Sequence, residues 1–146
     1  MAVARDYPYG NAQFLVDIPS LPQAQAFDEV LLPDLLVEVE EVREGNEKVP
    51  TSRKFPGLTK TSSLILRRGF SGRLELYQWW KMVSDGTPGF RQTITVSLLN
   101  EQRESVAAWK FNGAFPVNYS FSPLNGLDGS PLIETLEVCC DSVTME

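Results

Sequence analysis

The sequence predicts a mainly β domain: a small antiparallel barrel or sandwich with one flanking helix and one long extended arm. Three observations carry that expectation. Apolar and polar residues alternate from end to end in short stretches bounded by Gly, Pro, Asn or Asp, the pattern of half-buried strands joined by turns. Only residues 71–86 change to helical spacing. Residues 43–61 separate two clear strands without a period of their own. A chain of 146 residues, 42% of them hydrophobic, is long enough for one domain, 1–146, that buries about 70% of its unfolded surface.

Each element has a local reason. Phe14, Val16 and Ile18 share one face of a first strand that stops at Pro19, and Leu35, Val37 and Val39 share a face of the next, with Glu38, Glu40 and Val42 on the other. The arm, 43–61, follows. Loops of that length are uncommon in compact domains and are usually functional or disordered. It holds Pro56-Gly57, a turn dipeptide, between Phe55 and Leu58. Two apolar residues on a charged arm suit a docking element, and equally suit an arm folded back on its own barrel. Leu64 and Leu66 then alternate with Ser63, Ile65 and Arg67 until Gly69.

Leu76, Trp79, Trp80 and Val83 define a helix at about 72–84, with Ser71 or Gly72 as its cap and Gly86 and Pro88 as its stop. Its tryptophans read as anchors, because large aromatic rings mainly serve burial. Ile94, Val96 and Leu98 face the core opposite Thr93, Thr95 and Ser97, and strands follow at 106–111, 117–121 and 132–140. Asn125-Gly126-Leu127-Asp128-Gly129 reads as a hairpin turn rather than a calcium loop.

Charge is distributed in two opposed runs. From Asp28 to Glu47 there are eight carboxylates (Asp28, Glu29, Asp34, Glu38, Glu40, Glu41, Glu44, Glu47) against Arg43 alone. From Lys48 to Arg73 there are seven cations (Lys48, Arg53, Lys54, Lys60, Arg67, Arg68, Arg73) and no carboxylate. Two oppositely charged edges let copies dock head to tail. Alternatively, the two runs are neighbouring strands that pair within one subunit. The net charge of −6 and pI near 4.7 argue against a protein whose main task is holding phosphates.

Histidine is absent, which removes the commonest general base, the usual triad and every His-containing zinc site. Neither catalytic residues nor metal or cofactor ligands are expected. Glu38 and Glu40 share a solvent face with no apolar wall to raise a carboxylate pKa, so no acid–base pair is expected there. Cys139 and Cys140 are adjacent on a strand and point to opposite faces, which suits reduced thiols in the cytosol better than a staple. The first residues lack the apolar stretch of a secretory signal, and no run approaches the length that spans a bilayer. Cytosolic residence without membrane anchoring is expected.

In this setting the chain resembles the inner-tube proteins of contractile phage tails and contractile injection systems, and more distantly the hemolysin-coregulated tube protein of type VI secretion. The resemblance rests on Tyr7-Pro8-Tyr9 with Phe14-Leu15-Val16, Glu41-Val42-Arg43-Glu44-Gly45-Asn46, Phe55-Pro56-Gly57-Leu58-Thr59-Lys60 and Leu64-Ile65-Leu66-Arg67-Arg68-Gly69. It continues through Leu76 to Trp80, Trp109, Ala114-Phe115-Pro116-Val117, Leu124-Asn125 and Ile133-Glu134-Thr135-Leu136-Glu137, covering nearly the whole sequence.

The resemblance implies hexameric rings stacked into a hollow tube, with strands of neighbouring subunits joined edge to edge so that no sheet margin stays open. It implies a sheath on the helical side, baseplate and tube-terminator partners, and protein or DNA cargo in the lumen. Assembly in the cytoplasm would precede incorporation into a virion or injection particle. The arm becomes the contact to the next ring, through Arg53, Lys54, Phe55, Pro56, Gly57 and Leu58, against Glu38, Glu40, Glu44 and Glu47. Two stretches depart from the family pattern, Cys139-Cys140-Asp141-Ser142-Val143 and Gly126-Leu127-Asp128-Gly129, and they suit a tube-initiator ring as the alternative. A reading from another class is a soluble barrel holding a small ligand among Trp79, Trp80 and Trp109.

Overall fold

The alternation produces antiparallel strands throughout. The computed structural model describes residues 1–21, 26–43, 45–46 and 52–146. In chain order these form β1 (Phe14–Asp17), β2 (Glu29–Leu31), β3 (Leu35–Val42), β4 (Arg53–Thr61), β5 (Leu64–Gly69), α1 (Glu75–Ser84), β6 (Gln92–Leu99), β7 (Ser105–Phe121), β8 (Ile133–Cys139) and β9 (Ser142–Met145). Seven strands make one sheet in the order β1-β6-β7-β8-β5-β2, with β9 on β7, and β3 and β4 make a separate two-stranded sheet. β8 and β9 follow one another along the same side of β7, at Phe115–Phe121 and Trp109–Asn112 respectively.

The large sheet curls around a core that includes Val16, Leu64, Leu66, Ile94, Phe111 and Leu136, and α1 covers it with Leu76 and Trp79. The helix stops where expected. Gly86, at φ +70°, donates to the Val83 carbonyl at 3.1 Å and Thr87 to that of Met82 at 2.9 Å, the paired bonds of a Schellman end. Its start differs from expectation. The N-cap is Leu74, without a side-chain cap, instead of Ser71 or Gly72; Gly72, at φ +86°, turns the chain ahead of it.

Inside this core sits a charged cluster. Glu134 is 1% exposed and Arg68 6%. They face each other across β8 and β5, with Arg68 Nε donating to Glu134 Oε1. Arg68 Nη2 reaches Glu75 in the first turn of α1 at 3.3 Å, and the Tyr119 hydroxyl donates to Glu134 Oε2 at 2.5 Å. Burial and the neighbouring carboxylate push the Tyr119 phenol well above its usual pKa, so the hydroxyl keeps its proton for that bond. Every charge in the cluster has a partner, the condition under which buried ions are tolerated.

Several boundaries fall elsewhere than the periodicity suggests. Leu98 does not continue the buried row after Ile94 and Val96. A register shift falls between Leu98 and Leu99, and Leu99, 5% exposed, is buried apart from the main core cluster. The two stretches expected at 106–111 and 117–121 are one strand of 17 residues, β7, bent at Gly113, φ +64°, and shifted in register again between Pro116 and Asn118. The Asn125–Gly129 turn lies within the longer connection from β7 to β8. The short strands β2 and β9 carry too few residues for alternation to reveal them.

Candidate self-assembly interface

The arm is regular where it is described. Residues 53–61, expected as loop, are β4, paired antiparallel with β3. Pro56 and Gly57 do not turn the chain but sit within that strand. Each strand of a two-stranded sheet is an edge, so a proline that donates no ladder bond is tolerated. A register shift between Val37 and Val39 accommodates the irregularity. Gly57 suits a close approach: a Cβ there would lie 3.1 Å from Glu40 Cγ and 3.2 Å from the Glu38 carbonyl oxygen, tighter than ordinary contact. The Glu40 side chain therefore lies over the glycine.

This geometry resolves the charge pattern. The acidic run and the basic run are neighbouring strands: Glu41 stands opposite Lys54 and Val42 opposite Arg53, and Lys60 forms an ion pair with Glu38. Beyond the hairpin, Arg67 pairs with Glu29 at 3.2 Å and Arg68 with Glu134 and Glu75. Opposed charges thus meet within one chain. The ions on the hairpin are exposed, and such pairs contribute about 0–1 kcal/mol each.

The apolar residues of the hairpin are what remain unmatched. Leu35, Leu36, Val37, Val39 and Val42 on β3 and Phe55 and Leu58 on β4 are each between 48% and 69% exposed. Among the described elements, β3 and β4 pack on each other and on no other element to more than a marginal extent. The alternation read from Leu35, Val37 and Val39 is real, yet the face it defines lies outside the core. Full burial of one such side chain contributes about 1.5–3 kcal/mol. Seven of them, spread over both faces of a detached hairpin, are apolar surface that gains by being covered.

Of the residues expected at a subunit contact, Glu38, Glu40, Arg53, Lys54, Phe55, Pro56, Gly57 and Leu58 come together on this hairpin. Glu44 and Glu47 lie outside the described residues. The exposure of the hydrophobic members of β3 was not legible in the sequence, because alternation looks the same whether or not the face is buried by its own chain.

The three tryptophans do not converge on a ligand. Trp79 is buried, with Nε1 donating to the Phe90 carbonyl at 2.6 Å, and Trp80 stacks on Tyr77. Trp109 alone lines a cavity of about 420 Å³ between β1 and β2, with Phe14, Val30 and Leu98. Among the described residues no group of His, Cys, Asp or Glu has metal-binding proximity, and no helix is long and apolar enough to cross a membrane. Cys140 is buried and Cys139 half-buried, both free; burial pushes the Cys140 thiol up, away from the reactive thiolate.

A curled antiparallel barrel that closes its own core, yet extends an apolar hairpin that nothing among the described residues covers, defines a self-assembling structural subunit. The chain belongs to the T4-like virus tail tube protein gp19 family, whose model matches residues 10–144. No curated protein sequence matches it. Among solved structures, it is similar to a chain of the anti-feeding prophage baseplate at 25% identity, covering 97% of each chain with a TM-score of 0.83. A chain of the PVC extracellular contractile injection system sheath–tube complex in its extended state is 23% identical, over 97% of this chain and 93% of that one, with a TM-score of 0.80. Hcp1 from Flavobacterium johnsoniae shares the fold more distantly, at 15% identity, 90% and 93% coverage and a TM-score of 0.54.

Proposed function

We propose that this tube subunit forms hexameric rings which stack into the inner tube of a contractile tail or injection particle, with the β3–β4 hairpin as the contact between rings. The observation that supports this most is the hairpin itself: seven exposed apolar side chains on a sheet that packs on no other described element to more than a marginal extent. Arg53, Lys54, Phe55, Pro56, Gly57 and Leu58, with Glu38 and Glu40, form the contact, and its energy is chiefly apolar because exposed ion pairs contribute only about 0–1 kcal/mol each. Solved relatives come from a baseplate and a sheath–tube complex. By analogy a sheath surrounds this tube, and baseplate and terminator proteins close its ends. Its role is mechanical rather than enzymatic, as a conduit assembled in the cytoplasm and propelled when the sheath contracts.

Electron microscopy of concentrated protein tests this. Rings or tubes are expected from the parent chain, and none from Val39→Asp with Leu58→Asp, whose β-rich circular dichroism stays unchanged. A parent chain that remains monomeric across concentrations and salts contradicts the reading, as does a double variant that still builds tubes.

A further inference from the structure

The large sheet leaves a hole where its two ends fail to meet. β1 and β2 stand at the ends of the strand order and do not pair with each other, and a cavity of about 420 Å³ lies in the gap between them. Its apolar wall is Phe14, Val30, Leu32, Leu98 and Trp109. Phe14, Val30 and Trp109 pack on the core yet are only half-buried, and Leu98 is half-buried as well, so the core is unfinished at this point. Two exposed carboxylates, Asp28 and Glu29, also line the cavity. An aromatic-walled hole with acid beside it suits a large apolar side chain that travels with a cation.

The hairpin carries that combination. Strand alternation puts Arg53 and Phe55 on one face of β4, and Phe55 is 48% exposed. The cavity of its own chain lies out of its reach. Leu32, just before β3, lines that cavity, whereas Phe55 stands opposite Glu40, about 17 Å along β3 from Leu35 at the usual rise of a strand. Among the described residues none of β3 or β4 lines the cavity, and the hairpin packs on no other described element to more than a marginal extent. A second copy of the chain can supply what the first cannot.

We infer that the cavity between β1 and β2 is the socket that receives Phe55 of a second copy, with that copy's Arg53 brought against Glu29; this rests on the tube reading above and names the surface the hairpin meets. One copy gives the hairpin and the other gives the hole, so the contact joins two different surfaces and repeats from copy to copy without closing on itself. Phe55 supplies the affinity, as a buried aromatic anchor. The ion pair supplies register. Glu29 already accepts from Arg67 through Oε1 at 3.2 Å, and a carboxylate has lone pairs on both oxygens for a further donor.

Photocrosslinking tests the placement. Phe55 is replaced by p-benzoylphenylalanine in isotopically light chains, which are assembled as a minor fraction among heavy parent chains and irradiated. Adducts from light to heavy chains are expected within residues 9–14 and 28–32 or at Leu98 or Trp109. Adducts confined to the light chain itself, or to heavy chains outside this cavity, overturn the inference and leave the tube reading standing. Absence of tubes from the parent chain overturns both.

A second experiment tests the energetics through the concentration at which tubes form. Phe55→Ala should raise it about tenfold or more, and an unchanged threshold overturns the anchor. Arg53→Glu and Glu29→Lys should each raise it, and the two together should bring it back toward the parent value, a recovery that damage to the hairpin alone does not produce. Single variants that weaken tubes without recovery in the double variant contradict the pairing of Arg53 with Glu29.

Discussion

Single residues set two local properties that can be measured apart from assembly. Tyr119→Phe removes the donor to buried Glu134 Oε2, and an unmatched buried polar group costs about 1–3 kcal/mol. A lower urea midpoint at unchanged slope is expected. Arg5 lies between the rings of Tyr7 and Tyr9, 4.0 and 3.8 Å from their centroids, and forks onto Glu101 at 3.0 and 3.1 Å. That hydrogen bond, ahead of the backbone and Coulombic contributions, holds the Glu101 carboxyl below its usual range. A depressed carboxylate stabilises the fold above its unfolded pKa, and the contribution is lost as pH falls through the folded one. Protection of amides 3–9 relative to their unfolded exchange rates should therefore fall in acid below the ordinary glutamate range, and in Arg5→Ala it should already be low at neutral pH. Gly86 as the helix stop was legible in sequence because its left-handed conformation has a residue signature. Glu134 was not, since a carboxylate on an alternating strand looks alike whether it meets water or Arg68.

Elements show where periodicity informs and where it falls silent. The buried rows of β5 and β6 were readable from Leu64, Leu66, Ile94 and Val96, as was α1 from Leu76 and Trp79. The continuity of β7 was not, because Asn112-Gly113 resembles a break. At Gly113, φ is +64° and a Cβ would lie 2.2 Å from Asp141 Oδ2, whose carboxylate also pairs with Arg91 at 3.1 Å. Gly113→Ala combines backbone strain with that clash and should destabilise by more than about 1 kcal/mol, seen as a lower melting temperature. The same contacts account for Asp141 in the divergent C-terminal stretch: it fixes the junction where β8 gives way to β9. For the hairpin, sequence singled out the residues now proposed for the contact but took β4 for a loop, since Pro56-Gly57 carries turn chemistry into a strand that, among the described residues, pairs only with β3. Isolated two-stranded hairpins are marginally stable in water, so amides of β3 and β4 should exchange quickly in unassembled protein and become protected in tubes.

At the scale of the whole molecule, the core is satisfied within one chain and the hairpin is not. The charge runs that suggest head-to-tail docking lie on neighbouring strands of one subunit, with Lys60 on Glu38 and Arg67 on Glu29, and the exposed apolar side chains beside them carry the proposed contact. Reversing Arg53 and Lys54 together to Glu places a carboxylate at position 54 opposite Glu41 and disturbs the hairpin by like-charge repulsion. Ring stacking should be lost while the barrel stays folded, read by microscopy and circular dichroism. The most direct test is a three-dimensional reconstruction of assembled tubes at side-chain resolution. Leu35, Val37, Val39, Phe55 and Leu58 should be buried against subunits of an adjoining ring. A tube in which that hairpin faces solvent, or folds onto its own barrel, would contradict the account.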